Sequence, residues 1–130
     1  MNPVAAIAVS GLNAATRRVE ASASNIANLS SYGALPGEDG PPVYAPLEVQ
    51  LAAQAGGGVS ANIAPSSRAA LLAYDPQAAF ANAQGYVAAP AVDLTDEMIN
   101  LAMASYDFTA NLAVIRTADD MTKAVLEMRI

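Results

Sequence analysis

The chain has 130 residues, a net charge of −6, and neither cysteine nor histidine. This composition excludes disulfide bonds, thiol nucleophiles, thiolate metal sites and a Ser-His-Asp triad, and the scattered basic residues do not form the positive patch that nucleic acids require. Hydrophobic residues make up 54% of the chain and aromatic residues only 5%, and about a quarter of all residues are Ala. Because Ala favours helices but buries little area, we expect helices packed against one another or another subunit, not a thick core.

The first predicted element is an amphipathic helix from Pro3 to Ser30. Pro3 suits the first position of a helix, whereas Gly11 lowers the helix propensity of the early turns. Apolar or small residues recur at steps of three and four, which indicates a coiled-coil stripe. The stripe comprises Val4, Ala8, Leu12, Ala15, Val19, Ser22, Ile26 and Leu29.

The N-terminal segment "MNPVAAIAVSGL" is apolar but lacks the basic region of a secretory signal. No apolar run reaches the roughly 18 residues that a transmembrane helix needs. We therefore expect that, if the protein leaves the cytoplasm, it does so without an ordinary cleaved signal.

The middle of the chain, about 31–90, holds seven of the eight Pro and seven of the eight Gly residues. "VYAPLEVQL" at 43–51 alternates in hydrophobicity, "AGGGVS" is typical of a turn, and "VSANI" at 59–63 resumes the alternation. This pattern predicts a β-hairpin. "RAALLAY" at 68–74 predicts a third short strand, and the segment 75–90 predicts a second loop with turn signals at Asp75-Pro76 and Gln84-Gly85.

The last predicted element is a helix of roughly 50 Å from about Asp93 onward. Its heptad stripe comprises Leu94, Met98, Leu101, Ser105, Phe108, Leu112, Ile115, Asp119, Thr122 and Leu126. Tyr106 lies off the stripe, where it could contact a second neighbour. Such a length and spacing are typical of a coiled-coil partner.

Three groups of residues are candidates for chemistry. "AGGGVS" lacks the Lys and Ser/Thr of a phosphate-binding loop. The carboxylates of "DLTDEM" at 93–98 could bind a hard cation. A structural role explains them better, because Asp93 can cap the helix and Asp96 and Glu97 lie near its positive end. Asp119 with Lys123, and Arg116 with Asp120, are predicted surface ion pairs. The sequence therefore predicts no catalytic site, cofactor or metal.

The predicted fold class is α+β. It has long N- and C-terminal helices that pair as a coiled coil, with a small hairpin-rich insert between them. We expect three regions: an N-terminal axial helix at 1–30, a β-rich insert with loops at 31–92, and a C-terminal axial helix at 93–130.

Three separated stretches resemble the flagellar axial proteins, and in particular the basal-body rod proteins of the FlgC type. "ASNIAN" at 23–28 resembles the motif that ends the family's N-terminal helix. "YDPQAAFANAQGYVAAPAVDLTDEMINL" at 74–101 is similar to the family's Tyr-Asp-Pro, Gly-Tyr-Val and acidic-Met sequence. At 104–128, Phe108 and the following Thr-Ala-Asn resemble the family's aromatic and Gln-Ala-Asn. The departure at Leu29-Ser30-Ser31 and the dissimilar segment 33–73 indicate a divergent member.

The resemblance implies a non-enzymatic structural subunit of the flagellar rod, which spans the periplasm and carries torque from motor to hook. It implies export through the flagellar type III channel and helical assembly through coiled-coil terminal helices, with the insert facing outward. The implied partners are further copies of the chain, other rod proteins, the inner-membrane ring and the export apparatus, without nucleic acid or a small-molecule substrate. A non-polymerising helical adaptor for export or assembly is the alternative.

Within this hypothesis, the amides of Asn25 and Asn28 either cap free carbonyls at the helix end or bond to an adjacent subunit. The predicted subunit-interface residues are Leu12, Val19, Asn25, Ile26, Asn28, Met98, Leu101, Tyr106, Phe108, Asn111, Leu112, Ile115 and Leu126.

Overall fold

A computed structural model describes residues 3–68 and 70–128. Positions 1, 2, 129 and 130 of the predicted terminal regions, and position 69 of the predicted third strand, lie outside the described residues. The elements are α1 (Pro3–Ala27), β1 (Leu47–Ala53), β2 (Val59–Pro65), β3 (Leu71–Tyr74), β4 (Tyr86–Ala89) and α2 (Leu94–Glu127). Two long helices and two small antiparallel sheets confirm the α+β class.

The first hairpin joins β1 to β2, with Leu47 opposite Pro65 and Ala53 opposite Val59. Its loop at 54–58 turns on Gly57 and Gly58, whose φ angles of 86° and 87° favour glycine. The predicted turn at "AGGGVS" is therefore confirmed. The predicted strand start at Val43 is wrong, because β1 begins only after Pro46, which has no N–H for a ladder.

The second hairpin joins β3 to β4, with Leu71 opposite Ala89 and Tyr74 opposite Tyr86. The two tyrosine rings meet edge to face with centroids 5.3 Å apart. The assignment of all of 75–90 to a loop is wrong, because Tyr86–Ala89 is a strand. Val87 and Ala88 in β4 are both fully buried, so both faces of this strand are apolar. The alternation that reveals a half-buried strand is therefore missing.

Small residues form the core. The buried hydrophobic residues are Ala8, Ala14, Ala15, Ala21, Ala34, Val87, Ala88, Ala104 and Ala118. Most of them lie on α1 or α2, whose backbones can approach closely because Ala side chains are short. Larger side chains remain partly exposed along both helices, so the expectation of a thin core is confirmed.

The C-terminal helix begins as expected. The Oδ1 atom of Asp93 accepts hydrogen bonds from the backbone N–H groups of Thr95 at 2.7 Å and Asp96 at 3.2 Å. The acidic side chains of Asp96 and Glu97 occupy the first turn, where the helix dipole favours negative charge. Among the described helices, none has the length and hydrophobicity to span a membrane.

Candidate functional site

The two long helices lie side by side in opposite directions. Asn25 near the end of α1 donates from Nδ2 to Oε1 of Glu97 at 2.8 Å, at the start of α2. Arg18, earlier in α1, forms an ion pair with Asp107, later in α2. The later residue of α1 contacts the start of α2, and the earlier residue of α1 contacts a later part of α2. The two helices are therefore antiparallel.

Gly11 lies where the two helices approach closely. A methyl group at this position would lie 2.4 Å from Oδ1 of Asn111. The side chain of Asn111 is held there, because its Nδ2 atom donates to the carbonyl of Asp107 at 2.8 Å. α1 runs unbroken through Gly11, so this glycine is a contact point between the helices and does not end α1.

Asn25 is buried, with only 2% of the residue exposed, and its side-chain amide makes four hydrogen bonds. Its Nδ2 atom donates to the carbonyl of Leu47 at 3.0 Å as well as to Glu97. Its Oδ1 atom accepts from the N–H of Leu47 at 2.7 Å and from the hydroxyl of Tyr44 at 3.0 Å. The amide therefore uses both donors and both acceptor positions within the chain, and it joins the end of α1 to the starts of β1 and α2.

Asn28 occupies a different environment, at the C-terminal end of α1. Its Nδ2 atom donates to the carbonyl of Ser24 at 2.9 Å, and its Oδ1 atom accepts from the hydroxyl of Ser31 at 3.1 Å. Asn28 is thus bonded to the last helical turn, which is the capping arrangement that the sequence allowed.

A second polar link fixes the far end of the β1–β2 hairpin. The hydroxyl of Ser10 donates to the carbonyl of Ile7 at 2.6 Å and accepts from the N–H of Val59 at 3.1 Å. Gly57 and Gly58 in the loop pack directly on Ile7 and Ser10. Because Asn25 holds one end of the hairpin and Ser10 the other, the hairpin lies along α1.

The predicted interface residues fall into three groups by exposure. Asn25 alone is buried. The half-buried residues are Leu12, Ile26, Asn28, Leu101, Asn111, Leu112 and Ile115. The exposed residues are Val19, Met98, Tyr106, Phe108 and Leu126.

Val19 and Phe108 come together at an apolar groove between the two helices. The groove has a volume of about 300 Å³ and is lined by Thr16, Val19, Ala104, Ser105 and Phe108. We call this feature the helix groove. Val19 is 40% and Phe108 is 41% exposed there, so the groove is open to solvent in the single chain.

The end of α2 extends past its packing against α1. Ala118 is buried, and every residue from 119 to 128 is exposed. In this part Lys123 forms the predicted ion pair with Asp119, with Nζ and Oδ2 2.6 Å apart, and this hydrogen bond raises the pKa of Lys123. The pair predicted between Arg116 and Asp120 does not form, and Arg116 has no ion pair among the described residues.

Sequence reasoning missed a second apolar row on α2, which we call the outer row. It comprises Ile99, Met103, Tyr106, Ala110, Ala113, Thr117 and Met121, all of them exposed. The signal was present, because these residues recur at steps of three and four. Tyr106, noted as lying off the first stripe, belongs to this row.

The described residues contain no group of three or more acidic side chains placed to hold a metal ion. The polar links described above join parts of one chain, and the groove and the outer row are apolar. Surfaces of this kind are suited to packing against other helices.

Comparison with known proteins gives matches over both helices. A family model described as flagella basal body rod protein matches residues 6–34, and one described as flagellar basal body rod FlgEFG protein C-terminal matches residues 83–128. The flagellar basal-body rod protein FlgC of Yersinia enterocolitica is 39% identical over 127 residues, which cover 94% of this chain and 92% of that protein. The FlgC proteins of Salmonella typhimurium and Buchnera aphidicola are 38% and 31% identical, over 94% and 92% of this chain and 92% and 91% of their own lengths.

Proposed function

Because the chain belongs to the FlgC family of flagellar basal-body rod proteins, we propose that its two long helices are the surfaces through which it assembles. The chain is a structural subunit of the rod. In our proposal, α1 and α2 form a coiled-coil layer with the helices of neighbouring subunits, and the hairpins face outward. The assembled rod then transmits torque from the motor to the hook.

One observation carries this proposal: the helices pack on each other through alanines and leave their larger apolar side chains exposed. Val19, Met98 and Phe108 are each at least 40% exposed. An exposed apolar stripe that continues along a helix marks an interaction surface, and a stripe at heptad spacing fits another helix. Burial in an assembly would supply the apolar contacts that the single chain lacks.

The proposal extends to partners and location. The relatives are rod proteins of the basal body, so assembly with other rod proteins follows from the family. We further propose contacts with further copies of the chain, with the inner-membrane ring and, during export, with the flagellar export apparatus, and a place in the part of the rod that spans the periplasm. The role is structural and not enzymatic; the chain has no histidine or cysteine to act as base or nucleophile.

Genetic complementation tests the proposal. The chain is expressed in a strain of its source bacterium that lacks the gene, and motility and purified basal bodies are examined. We expect restored motility and co-purification of the chain with the rod. A chain that stays outside the basal body, or a motile strain whose rods lack it, would contradict the proposal.

A variant in the helix groove tests the role of the helices. We expect Phe108→Asp to abolish motility while the protein is still exported to the medium, because a charge would be buried in a packed helix layer. Gln77→Asp, in an exposed loop of the insert, is the matched control and should leave motility intact. Full motility of the Phe108→Asp strain would support the non-polymerising adaptor instead.

A further inference from the structure

The first hairpin has an outer edge on each side, and the outer edge of β2 borders a groove beside α1. The groove has a volume of about 650 Å³. One wall is formed by α1, with Val9, Asn13 and Thr16, and the other by β2, with Val59 and Ala61. We call this feature the edge groove. It is separate from the helix groove, which lies between α1 and α2.

The hydrogen bonds of the hairpin show which backbone groups of β2 point outward. The N–H and C=O of Leu47 both bond to a side chain of α1, so they point away from β2. Because the direction alternates along an antiparallel pair, the register places the outward groups of β2 on Val59, Ala61 and Ile63. The bond from the N–H of Val59 to the hydroxyl of Ser10 on α1 agrees with this direction.

The outward backbone groups of Ala61 and Ile63 form an open strand edge. No other described residue bonds to these two N–H and two C=O groups. An unpaired edge is a template for one more strand, and the addition of an extended segment to such an edge is a recurrent mode of recognition. A helix could not use the edge, because its own backbone groups are bonded internally. The edge therefore selects an extended segment.

The edge groove has room for one short strand. A strand in a sheet occupies about 4.8 Å by 10 Å in cross-section and about 3.3 Å per residue, so the groove volume of about 650 Å³ holds about four residues. The edge from Val59 to Ile63 has the same length, about 13 Å. The wall of α1 from Ser10 to Glu20 is about 15 Å long. The volume and both walls therefore agree on the size of the occupant.

The lining of the groove determines which side chains the occupant carries. Val9, Asn13 and Thr16 on α1 are uncharged. Arg17 and Glu20 also line the groove, but they form an ion pair with each other at 2.9 Å and offer no unpaired charge. A charged side chain placed against this wall would lose water without gaining a partner. The groove therefore fits a segment whose side chains facing α1 are uncharged, and small or β-branched residues suit the added strand.

We propose that the edge groove binds an extended, uncharged segment of a different protein, which adds to β2 as a third strand. The proposal rests on the proposed function, which brings the chain together with other rod proteins, and it assigns this contact to the insert. Each described strand of this chain already belongs to a hairpin, so a second copy would bring a whole hairpin to a groove that holds one strand. A third strand would also stabilise the hairpin, because two strands alone are marginally stable in water.

Proline variants in the complementation strain test the proposal. Proline lacks the backbone N–H group and is tolerated in an edge strand where that group points outward. Ala61→Pro therefore removes one donor from the edge groove and leaves the ladder between β1 and β2 unbroken. Leu51→Pro removes an outward N–H from the opposite edge of the same hairpin and is the matched control. We expect loss of motility with Ala61→Pro and wild-type motility with Leu51→Pro.

Two outcomes of this comparison would overturn the proposal. One is full motility with Ala61→Pro, and the other is equal loss of motility with both variants. Circular dichroism of the purified proteins shows whether each variant keeps the fold, and Ile63→Pro replaces Ala61→Pro if that variant does not.

Hydrogen exchange of the wild-type chain tests the same edge without a substitution. In the free protein, the amides of Ala61 and Ile63 should exchange rapidly, whereas those of Asn62 and Ala64 bond to β1 and should exchange slowly. In isolated basal bodies, the rapid exchange of Ala61 and Ile63 should be lost. Rapid exchange of these two amides in the basal body would overturn the proposal.

A photo-cross-linking residue at position 62, which is exposed in the middle of β2, identifies the occupant. We expect basal bodies to yield a cross-link to an uncharged segment of a different protein, together with protection of the Ala61 and Ile63 amides. A cross-link to a second copy of the chain, or none, would overturn the proposal. Complementation by the wild type decides the rod function separately.

Discussion

At the scale of single residues, polar contacts give this alanine-rich chain its specific geometry. Ala side chains pack in many registers with similar energy, because they are small and alike. The four hydrogen bonds of Asn25 are made only when α1, α2 and β1 have one relative position. Its burial therefore selects that position, as a satisfied buried polar group does in other cores.

Replacing Asn25 with Ala should destabilise the monomer by about 2 kcal/mol or more, because the N–H and C=O of Leu47 lose their partner and the Tyr44 hydroxyl keeps only its bond to Ser24. Denaturant unfolding of dilute protein measures the change. Asn28→Ala is the comparison, and we expect a loss of about 1 kcal/mol or less, since Asn28 is half-buried and bonds within its own helix end. Equal losses in the two variants would contradict the central role of Asn25.

A double-mutant cycle tests the contact between Gly11 and Asn111. Gly11→Ala adds helix propensity of about 1 kcal/mol but drives its methyl group into the Asn111 side chain, so we expect no net gain in the free energy of unfolding. In an Asn111→Ala background the overlap is gone, and Gly11→Ala should stabilise by about 1 kcal/mol. Additive effects would show that the helices do not meet at these residues.

At the scale of elements, each hairpin depends on a different support. A two-stranded hairpin is at best marginally stable alone in water. β1 and β2 contact α1, whereas β3 and β4 contact no other described helix or strand. The second hairpin is bonded to the preceding loop instead, where Gly33 and Ala88 exchange backbone hydrogen bonds at 2.9 Å.

The first hairpin should therefore be stable only while its contacts with α1 are intact. We expect Ser10→Ala to speed hydrogen exchange of the amides in 59–65, because Val59 loses its acceptor on α1. The amides of 71–74 and 86–89 serve as an internal control and should be unchanged. Equal acceleration in both hairpins would indicate general destabilisation of the fold.

The sequence predicted the elements whose pattern is periodic. Both helices follow from apolar residues at steps of three and four, and β1 and β2 from alternation around three glycines. β4 was missed because Val87 and Ala88 are buried on opposite faces. The intrachain hydrogen bonds of Asn25 were not predicted for a different reason: its partners Leu47 and Glu97 are distant in sequence, and no local pattern indicates a long-range hydrogen bond.

The candidate site was predicted only in part. The stripes of the two helices predict Val19 and Phe108 as interface residues, and these two side chains share one groove. A single heptad stripe on α2 does not predict the outer row, because that row lies on a different face of the same helix. A helix that packs against more than one neighbour carries more than one stripe, so the spacing of all apolar residues has to be followed on every face.

At the scale of the whole molecule, the unequal lengths of the helices leave α2 with an unsupported end. Residues 119–127 are helical and all of them are exposed, and they include the apolar side chains of Met121, Val125 and Leu126. A helix end that is not packed against the rest of the fold frays readily in water, because most helical stability in proteins comes from tertiary packing. Packing against a neighbouring subunit would stabilise this end of α2.

The rate of hydrogen exchange should therefore differ between the two parts of α2. In dilute monomer we expect rapid exchange of the amides in 119–127 and slower exchange in 97–118, which pack on α1; in the assembled state both parts should be protected. The contrast depends on packing and not on helix propensity, because both parts contain good helix formers. Slow exchange of 119–127 in the monomer would mean that the chain completes its own fold, and would favour a self-contained adaptor over a subunit that becomes fully ordered only among its neighbours.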